Sequence, residues 1–198
     1  MTWNNERSQA SATVYEALAS AFAAPATAQV VANVQDVLTP LGAKLTASEV
    51  PQLSDEEHFC LRFVLPNSPL FVPLAEAAVR STEIVGGTAV YRNRYLPETG
   101  RLPLAYEAAG FQVDALGVSG ADARWEPLAH RADGLVCELA FMAFLRSRER
   151  HNDADNFARS HLLRWVDHAA NLLSLKSDDA YARLAGVTAA WVRLDLEL

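Results

Sequence analysis

Asp133-Gly-Leu-Val-Cys-Glu-Leu-Ala-Phe-Met-Ala-Phe-Leu145 decides the fold class of this chain. Between Leu135 and Leu145 the only charged residue is Glu138. A helical run that apolar has no polar face to offer water, so it must be buried nearly all round. Leu128, Ala132, Leu135, Leu139 and Met142 then recur four and three residues apart, which predicts one continuous core helix. A carboxylate inside such a helix needs a partner, expected to be a neighbouring helix's backbone or an arginine.

Outward from this centre the same helical period persists. Val14, Leu18, Ala21 and Phe22 predict a first helix stopped by Pro25. Thr27 is placed to cap a second, carried by Val30, Val31, Val34, Val37 and Leu38 and ended by Pro40. Thr46-Ala-Ser-Glu49 and Ser54-Asp-Glu-Glu57 have the form of capping boxes, the latter opening a helix through Phe59, Phe63 and Val64. Leu74 to Val85 is expected to be helical up to Gly86-Gly87, and Tyr91 to Tyr95 and Leu104 to Ala109 to form short helices. Towards the C-terminus, Asp153 and Asp155 suit a helix's first turn, and Ser177-Asp-Asp caps the last helix, with Tyr181, Leu184, Val187, Trp191 and Leu194 facing inward. The expectation is all-α: one globular domain over residues 1–198 of about eight to ten helices, with a hinge around 86–124.

The chain has 198 residues, about half hydrophobic, and a net charge of -7. An acidic chain with scattered Lys and Arg is not built to neutralise phosphates, so no nucleic-acid partner is expected. Cys60 and Cys137 sit in apolar runs and read as small buried hydrophobes rather than a disulfide or metal pair. The uncharged stretch from Ala17 to Gln35 contains A-x-A patterns, but Glu6, Arg7 and Glu16 before it and Pro25, Gln29 and Asn33 within it fit neither a secretory leader nor a membrane span.

Catalytic signatures are missing: there is no G-x-S-x-G, P-loop, G-x-G-x-x-G, H-E-x-x-H or C-x-x-C, and no Glu stands three residues before any His, as a di-iron bundle would need. His161, Trp165 and His168 fall on one face of a continuous helix, yet two histidines without a third ligand argue for packing rather than metal. Asp133 and Glu138, about 140° apart on a helix, are poorly placed as an acid–base pair. The most function-like segment is Pro66-Asn-Ser-Pro69-Leu-Phe-Val-Pro73, an apolar loop forced out of helical geometry by three prolines. With Phe63, Leu70 and Phe71 as its floor and Glu76 and Asp133 at its rim, it suits a peptide with an apolar stretch beside arginines.

Several segments together resemble the TorD/DmsD family of redox-enzyme maturation chaperones, which includes the NarJ-like assembly proteins. Val14-Tyr-Glu-Ala-Leu-Ala-Ser-Ala-Phe22-Ala-Ala-Pro25 is similar to the family's Tyr-x-x-Leu-x-x-x-Phe-x-x-Pro helix. Pro73-Leu-Ala-Glu76 is similar to its Pro-x-x-Glu-Ser loop, and Tyr106-Glu-Ala-Ala-Gly-Phe111 to its Tyr-x-x-Ala-Gly-Phe segment. Asp133 to Met142 resembles Asp-His-Leu-x-x-Glu-Leu-x-Phe-Met, and Phe157 to Trp165 resembles Phe-x-x-x-His-Leu-Leu-Pro-Trp. The chain departs from these patterns at Gly134, where the family usually has His, at Ala77 for Ser and at Arg164 for Pro.

The resemblance implies a cytoplasmic, non-enzymatic assembly chaperone. Its partners would be the twin-arginine signal peptide and the apo form of a molybdopterin oxidoreductase catalytic subunit, with no membrane insertion and no resident cofactor or metal. Phe63, Pro66, Leu70, Phe71, Pro73, Glu76, Asp133 and Gly134 would form the peptide-binding side, and Glu138, Leu139, Phe141, Met142, His161, Leu162 and Trp165 the structural motif. The central segment permits either a closed monomer or a helix-swapped dimer. Two other readings are weighed against it: a helical protein holding a small molecule or nucleotide near His161, Trp165 and Tyr106, and an enzyme using Asp133 or Glu138 as base.

Overall fold

In a computed structural model, which describes residues 2–25, 28–39, 56–92, 96–113, 128 and 130–197, the chain is all-α with one small hairpin. The first helix, α1 (Thr2–Ala23), ends just before Pro25 and buries Tyr15, Leu18, Ala21 and Phe22 completely. Helix α2 (Ala28–Leu38) follows, with Val34 turned into the core. Thr27, the first capping box and the Ser54 end of the second lie outside the described residues.

Helix α3 (Glu56–Phe59) runs directly into a π-helical turn over Cys60–Val64, closed by Leu65 N–H donating to Cys60 C=O at 2.9 Å. π turns are uncommon and concentrate where a helix must present an unusual side chain. Here the turn buries consecutive residues, Arg62 and Phe63. The expected helix from Leu74 to Val85 is much shorter. Only α4 (Glu76–Arg80) is helical, and β1 (Glu83–Val85) pairs antiparallel with β2 (Thr88–Val90), Glu83 opposite Val90. Gly86 and Gly87 both adopt positive φ, 58° and 79°. A two-residue turn of that form matches the twist of a hairpin and is open chiefly to glycine. Tyr91 and Arg92 are accordingly non-helical, and 93–95 lie outside the described residues.

A 3₁₀ turn (Thr99–Arg101) leads into α5 (Leu102–Ala109), which Gly110 closes in the left-handed conformation, φ 77°. Helices α6 (Leu135–Ser147), α7 (His151–Ser160), α8 (Val166–Lys176) and α9 (Ala180–Glu197) complete the chain. Helix α6 packs along α1, and α8 against α9. One continuous hydrophobic core runs from Val14 to Val192. Two aromatic clusters fill it, Phe22, Phe59, Phe63 and Tyr181 at one side and Tyr106, Phe111, Phe141, Phe144 and Phe157 at the other. Among the described residues no helix is long and apolar enough to cross a membrane.

Two predicted details are corrected. Ala132 lies in a turn rather than in the core helix, which begins only at Leu135 because Asp133 and Gly134 pair with another segment. Leu194 is 41% exposed, while Asp195 is buried. At about 100° per residue, position 195 returns to within about 40° of Tyr181's direction, whereas 194 lies about 140° away.

Two buried ion pairs tie the helices together. Arg62 Nη2 donates to Asp179 Oδ1 at 3.0 Å and to Leu173 C=O at 3.1 Å, and its Nε lies 3.0 Å from Asp179 Oδ2. Asp179 also accepts from Ala182 N–H at 3.0 Å, capping α9 as expected of this segment, and contacts His58 Nε2 at 2.9 Å. At the far end, Arg146 Nε donates to Asp195 Oδ2 at 2.9 Å, and Ser11 and Tyr15 hydroxyls donate to the same carboxylate.

Replacing Asp179 by Ala would strand the Arg62 guanidinium in the core and uncap α9. A loss of about 3–5 kcal/mol is expected in urea denaturation, part of it recovered in the double variant Arg62→Met/Asp179→Ala.

Candidate functional site

Pro73 has no N–H to give a helix, and the chain through it stays extended up to Ala75, φ -139° and ψ 130°. Gly134 is extended too, φ -88° and ψ 146°. The two stretches pair as a single antiparallel bridge, Ala75 opposite Gly134. Glu76 N–H donates to Asp133 C=O at 2.7 Å, and Leu135 N–H donates to Leu74 C=O at 3.0 Å. Asp133 also reaches across with its side chain. Its Oδ2 accepts from Ala77 N–H at 3.2 Å and so caps α4 from another segment, while Arg131 Nε donates to its Oδ1 at 2.6 Å. The bridge therefore starts two helices at once, α4 and α6.

Each of those helices carries a fully buried acid in its first turn, Glu76 and Glu138. Glu76 Oε1 accepts from Arg80 Nη1 at 2.7 Å, one helical turn away, and its Oε2 lies 2.9 Å from His161 Nδ1. Glu138 Oε2 accepts from the Trp165 indole N–H at 3.0 Å, and its Oε1 is buried with no hydrogen-bond partner. Glu138's partner is thus an indole, not the backbone or arginine expected. One ligand-capable atom from each of Glu76, Glu138 and His161 lies within 4.8 Å of the other two.

His161 and Trp165 arrive there because the helix breaks. His161 has φ -124° and ψ -82°, a 3₁₀ turn follows over Leu162–Arg164, and Trp165 has φ -145°. The expected shared helix face of His161, Trp165 and His168 does not exist, and His168 is exposed. His161 stacks on Phe157 at 4.9 Å between centroids and keeps 13% of its side chain exposed.

Burial, reinforced by the nearby Glu76 charge, pushes the Glu138 carboxyl well above the usual carboxylate range. Burial also pushes the Cys137 thiol up to about 12, so it stays protonated at neutral pH and is a poor nucleophile. The chemistry open to this centre is the holding of a proton or of a cation between two acids and an imidazole.

The apolar loop lies beside the bridge. Leu65 is 48% exposed, Pro66 and Pro69 are exposed, and Leu70, Phe71 and Pro73 are half-buried, Phe71 edge-on to Tyr91. Phe63 and Val72 are buried beneath it. Arg62 holds its far end, its Nη1 donating to Leu70 C=O at 3.2 Å and its C=O accepting from Val72 N–H at 2.9 Å. Of the two acids expected at the rim, Asp133 keeps 14% side-chain exposure, but Glu76 is inside the protein with both oxygens engaged. Leu139, Phe141, Met142, Leu162 and Trp165 are core residues. Trp165 and Tyr106 are buried and hydrogen-bonded within the protein, Tyr106 hydroxyl donating to Ala132 C=O at 2.7 Å.

Gly134 has a steric reason. A Cβ there would lie 2.8 Å from Arg131 C=O and 3.3 Å from Arg131 Cβ. The turn that closes over it fills the space a histidine would use. Arg62, Arg80 and Arg131, which organise the loop and both acids, were not singled out in the sequence. Arg62 carried the same signal as Glu138: it is the only charge in Phe59-Cys-Leu-Arg-Phe-Val-Leu65. No protein-family model, curated protein or solved structure matches this chain.

Gly134→Ala should cost about 1–3 kcal/mol in thermal or urea unfolding, since the Arg131 backbone must move. Glu138 gives a second expectation. An acid whose pKa folding raises holds its proton more tightly folded than unfolded, so it subtracts stability as pH climbs from the unfolded carboxyl value, about 4.3, towards the folded one. In chelator-containing buffer, Glu138→Gln should therefore gain on the parent in unfolding free energy between pH 4 and pH 8. A constant difference across that range would contradict the buried-proton assignment.

Proposed function

We propose that the chain is a dedicated assembly chaperone that binds a twin-arginine signal peptide, or the apoprotein, of a molybdopterin-containing redox enzyme in the cytoplasm until cofactor insertion and folding are complete. The observation that carries this reading is the apolar loop Leu65–Pro73, held open to the surface by Arg62 and running directly into the bridge at Asp133. Leu65, Pro66, Pro69, Leu70 and Phe71 supply apolar area for the hydrophobic stretch of a signal peptide. Asp133 supplies the anionic contact, and the net charge of -7 favours encounter with a cationic segment.

Further support comes from the segments on which the family resemblance rests. Pro73–Glu76, Asp133–Glu138 and His161–Trp165 are far apart in sequence, yet each hydrogen-bonds to another. In this reading Glu76, Glu138, His161 and Trp165 build the frame, and the loop and Asp133 meet the peptide. Arg131 occupies the Asp133 carboxylate at 2.6 Å, so an arginine of the peptide would have to displace it. No bond is made or broken. Masking the peptide delays export, and release follows when folding of the client removes it from the equilibrium.

The test is a fluorescence titration with a synthetic peptide carrying two adjacent arginines followed by an apolar stretch. Binding should weaken at least ten-fold, about 1.4 kcal/mol, for Leu70→Asp and for Asp133→Asn, and also when lysines or glutamines replace the arginines. An affinity indifferent to all of these changes would refute the reading.

A further inference from the structure

We infer that Glu76, Glu138 and His161 form a binding site for a single first-row divalent cation of the Zn²⁺ type. The three come from separate elements: the first turn of α4, the first turn of α6 and the break after α7. One ligand-capable atom of each nevertheless lies within 4.8 Å of the other two. Two oxygens and one imidazole nitrogen are a donor set for zinc, manganese or ferrous iron rather than for calcium, which takes oxygen alone.

The second observation is the orphaned oxygen. Glu138 is fully buried, and its Oε1 has no hydrogen-bond partner although a buried polar atom without one is costly. The remaining oxygens are held in the manner of metal-ligand carboxylates. Arg80 donates to Glu76 Oε1 and Trp165 to Glu138 Oε2, which fixes both groups and leaves Glu76 Oε2 and Glu138 Oε1 clear of those donors.

The geometry needs small movements. Ligand atoms around a tetrahedral zinc, with bonds of about 2.0–2.2 Å, sit about 3.2–3.6 Å apart. Glu76 Oε2 and His161 Nδ1, now 2.9 Å apart, must therefore part slightly, and the third atom closes in. His161 Nδ1 releases its proton to solvent, leaving the neutral ring protonated on Nε2, and coordinates in place of its hydrogen bond to Glu76, while the proton on Glu138 also leaves to solvent as the ion enters. His161 keeps 13% of its side chain exposed and also lines a surface cavity of about 280 Å³ with Ala105, Ala109, Phe141, Asn156 and Phe157. Bound there, the ion would clamp α4, α6 and the turn after α7 at the point where all three meet.

The test uses the full chain stripped of metal with a chelator and then titrated with Zn²⁺ against a chromophoric competitor, with Co²⁺ as a visible-spectrum probe of coordination. One equivalent of Zn²⁺ per chain is expected, at micromolar or tighter dissociation constant. Glu138→Gln preserves shape and the acceptor for Trp165, and His161→Gln alters a partly exposed group. Each should weaken binding at least ten-fold, with native circular dichroism in the metal-free state, while the exposed His168→Gln leaves it unchanged. Less than one equivalent bound, or equal affinity in the parent and in whichever of the two ligand variants folds, would overturn the site. Peptide affinity does not enter this measurement, so it stands or falls separately from the chaperone reading.

Discussion

A carboxylate buried in the first turn of an apolar helix is the constraint on which this structure turns. Glu138 cannot be left with neither a proton nor a donor, because an isolated buried charge loses its hydration without compensation. The Trp165 indole meets one of its oxygens. To bring that indole inward, the chain after α7 abandons helical geometry at His161 and re-enters it after Trp165. The same break delivers His161 to Glu76, so one buried acid draws a second and its imidazole partner into place.

Around this centre, buried charges are used as staples rather than tolerated as exceptions. Arg62 with Asp179 joins the π turn to the start of α9, and Arg146 with Asp195 joins α6 to the end of α9, with Ser11 and Tyr15 of α1 added. Such pairs add less net stability than their Coulomb attraction suggests, since both ions lose hydration. Their geometric demands are strict, however. An arginine with only one acceptable arrangement of acceptors fixes the register of whatever carries those acceptors. Arg62 does this for the loop Leu65–Val72, whose end at Leu70 and Val72 it ties to the π turn.

The bridge between Ala75 and Gly134 shows where reading the chain by period fails. Leu128, Ala132 and Leu135 are spaced as in a helix, and Leu74 to Val85 has enough apolar residues to be one. Neither runs unbroken: Ala132 lies in a turn and only Glu76–Arg80 of the second stretch is helical, because the backbone of Leu74–Glu76 finds its partners in Asp133–Leu135, about sixty residues away. Gly86-Gly87 was legible as a helix stop but equally as a hairpin turn, and its two positive φ angles decide for the hairpin. Glu76 illustrates the same limit for the site. As an acid after a proline loop it read as a rim residue, and long-range pairing with His161 and Arg80 takes it inside.

By itself the sequence determined the class of the fold and most of its helices. Helical period, proline stops and caps are local properties, and α1, α2, α5, α9 and the start of α7 are where those signals put them. It also marked Glu138 as a buried charge in need of a partner, and its own logic extended to Arg62 would have marked a second. Which partner each charge takes, which helices stop early, and that Glu76, Glu138, His161 and Trp165 share one small volume were decided only by the tertiary structure. Hydrogen bonds and ion pairs between distant segments depend on where the whole chain has packed, and no local pattern encodes that.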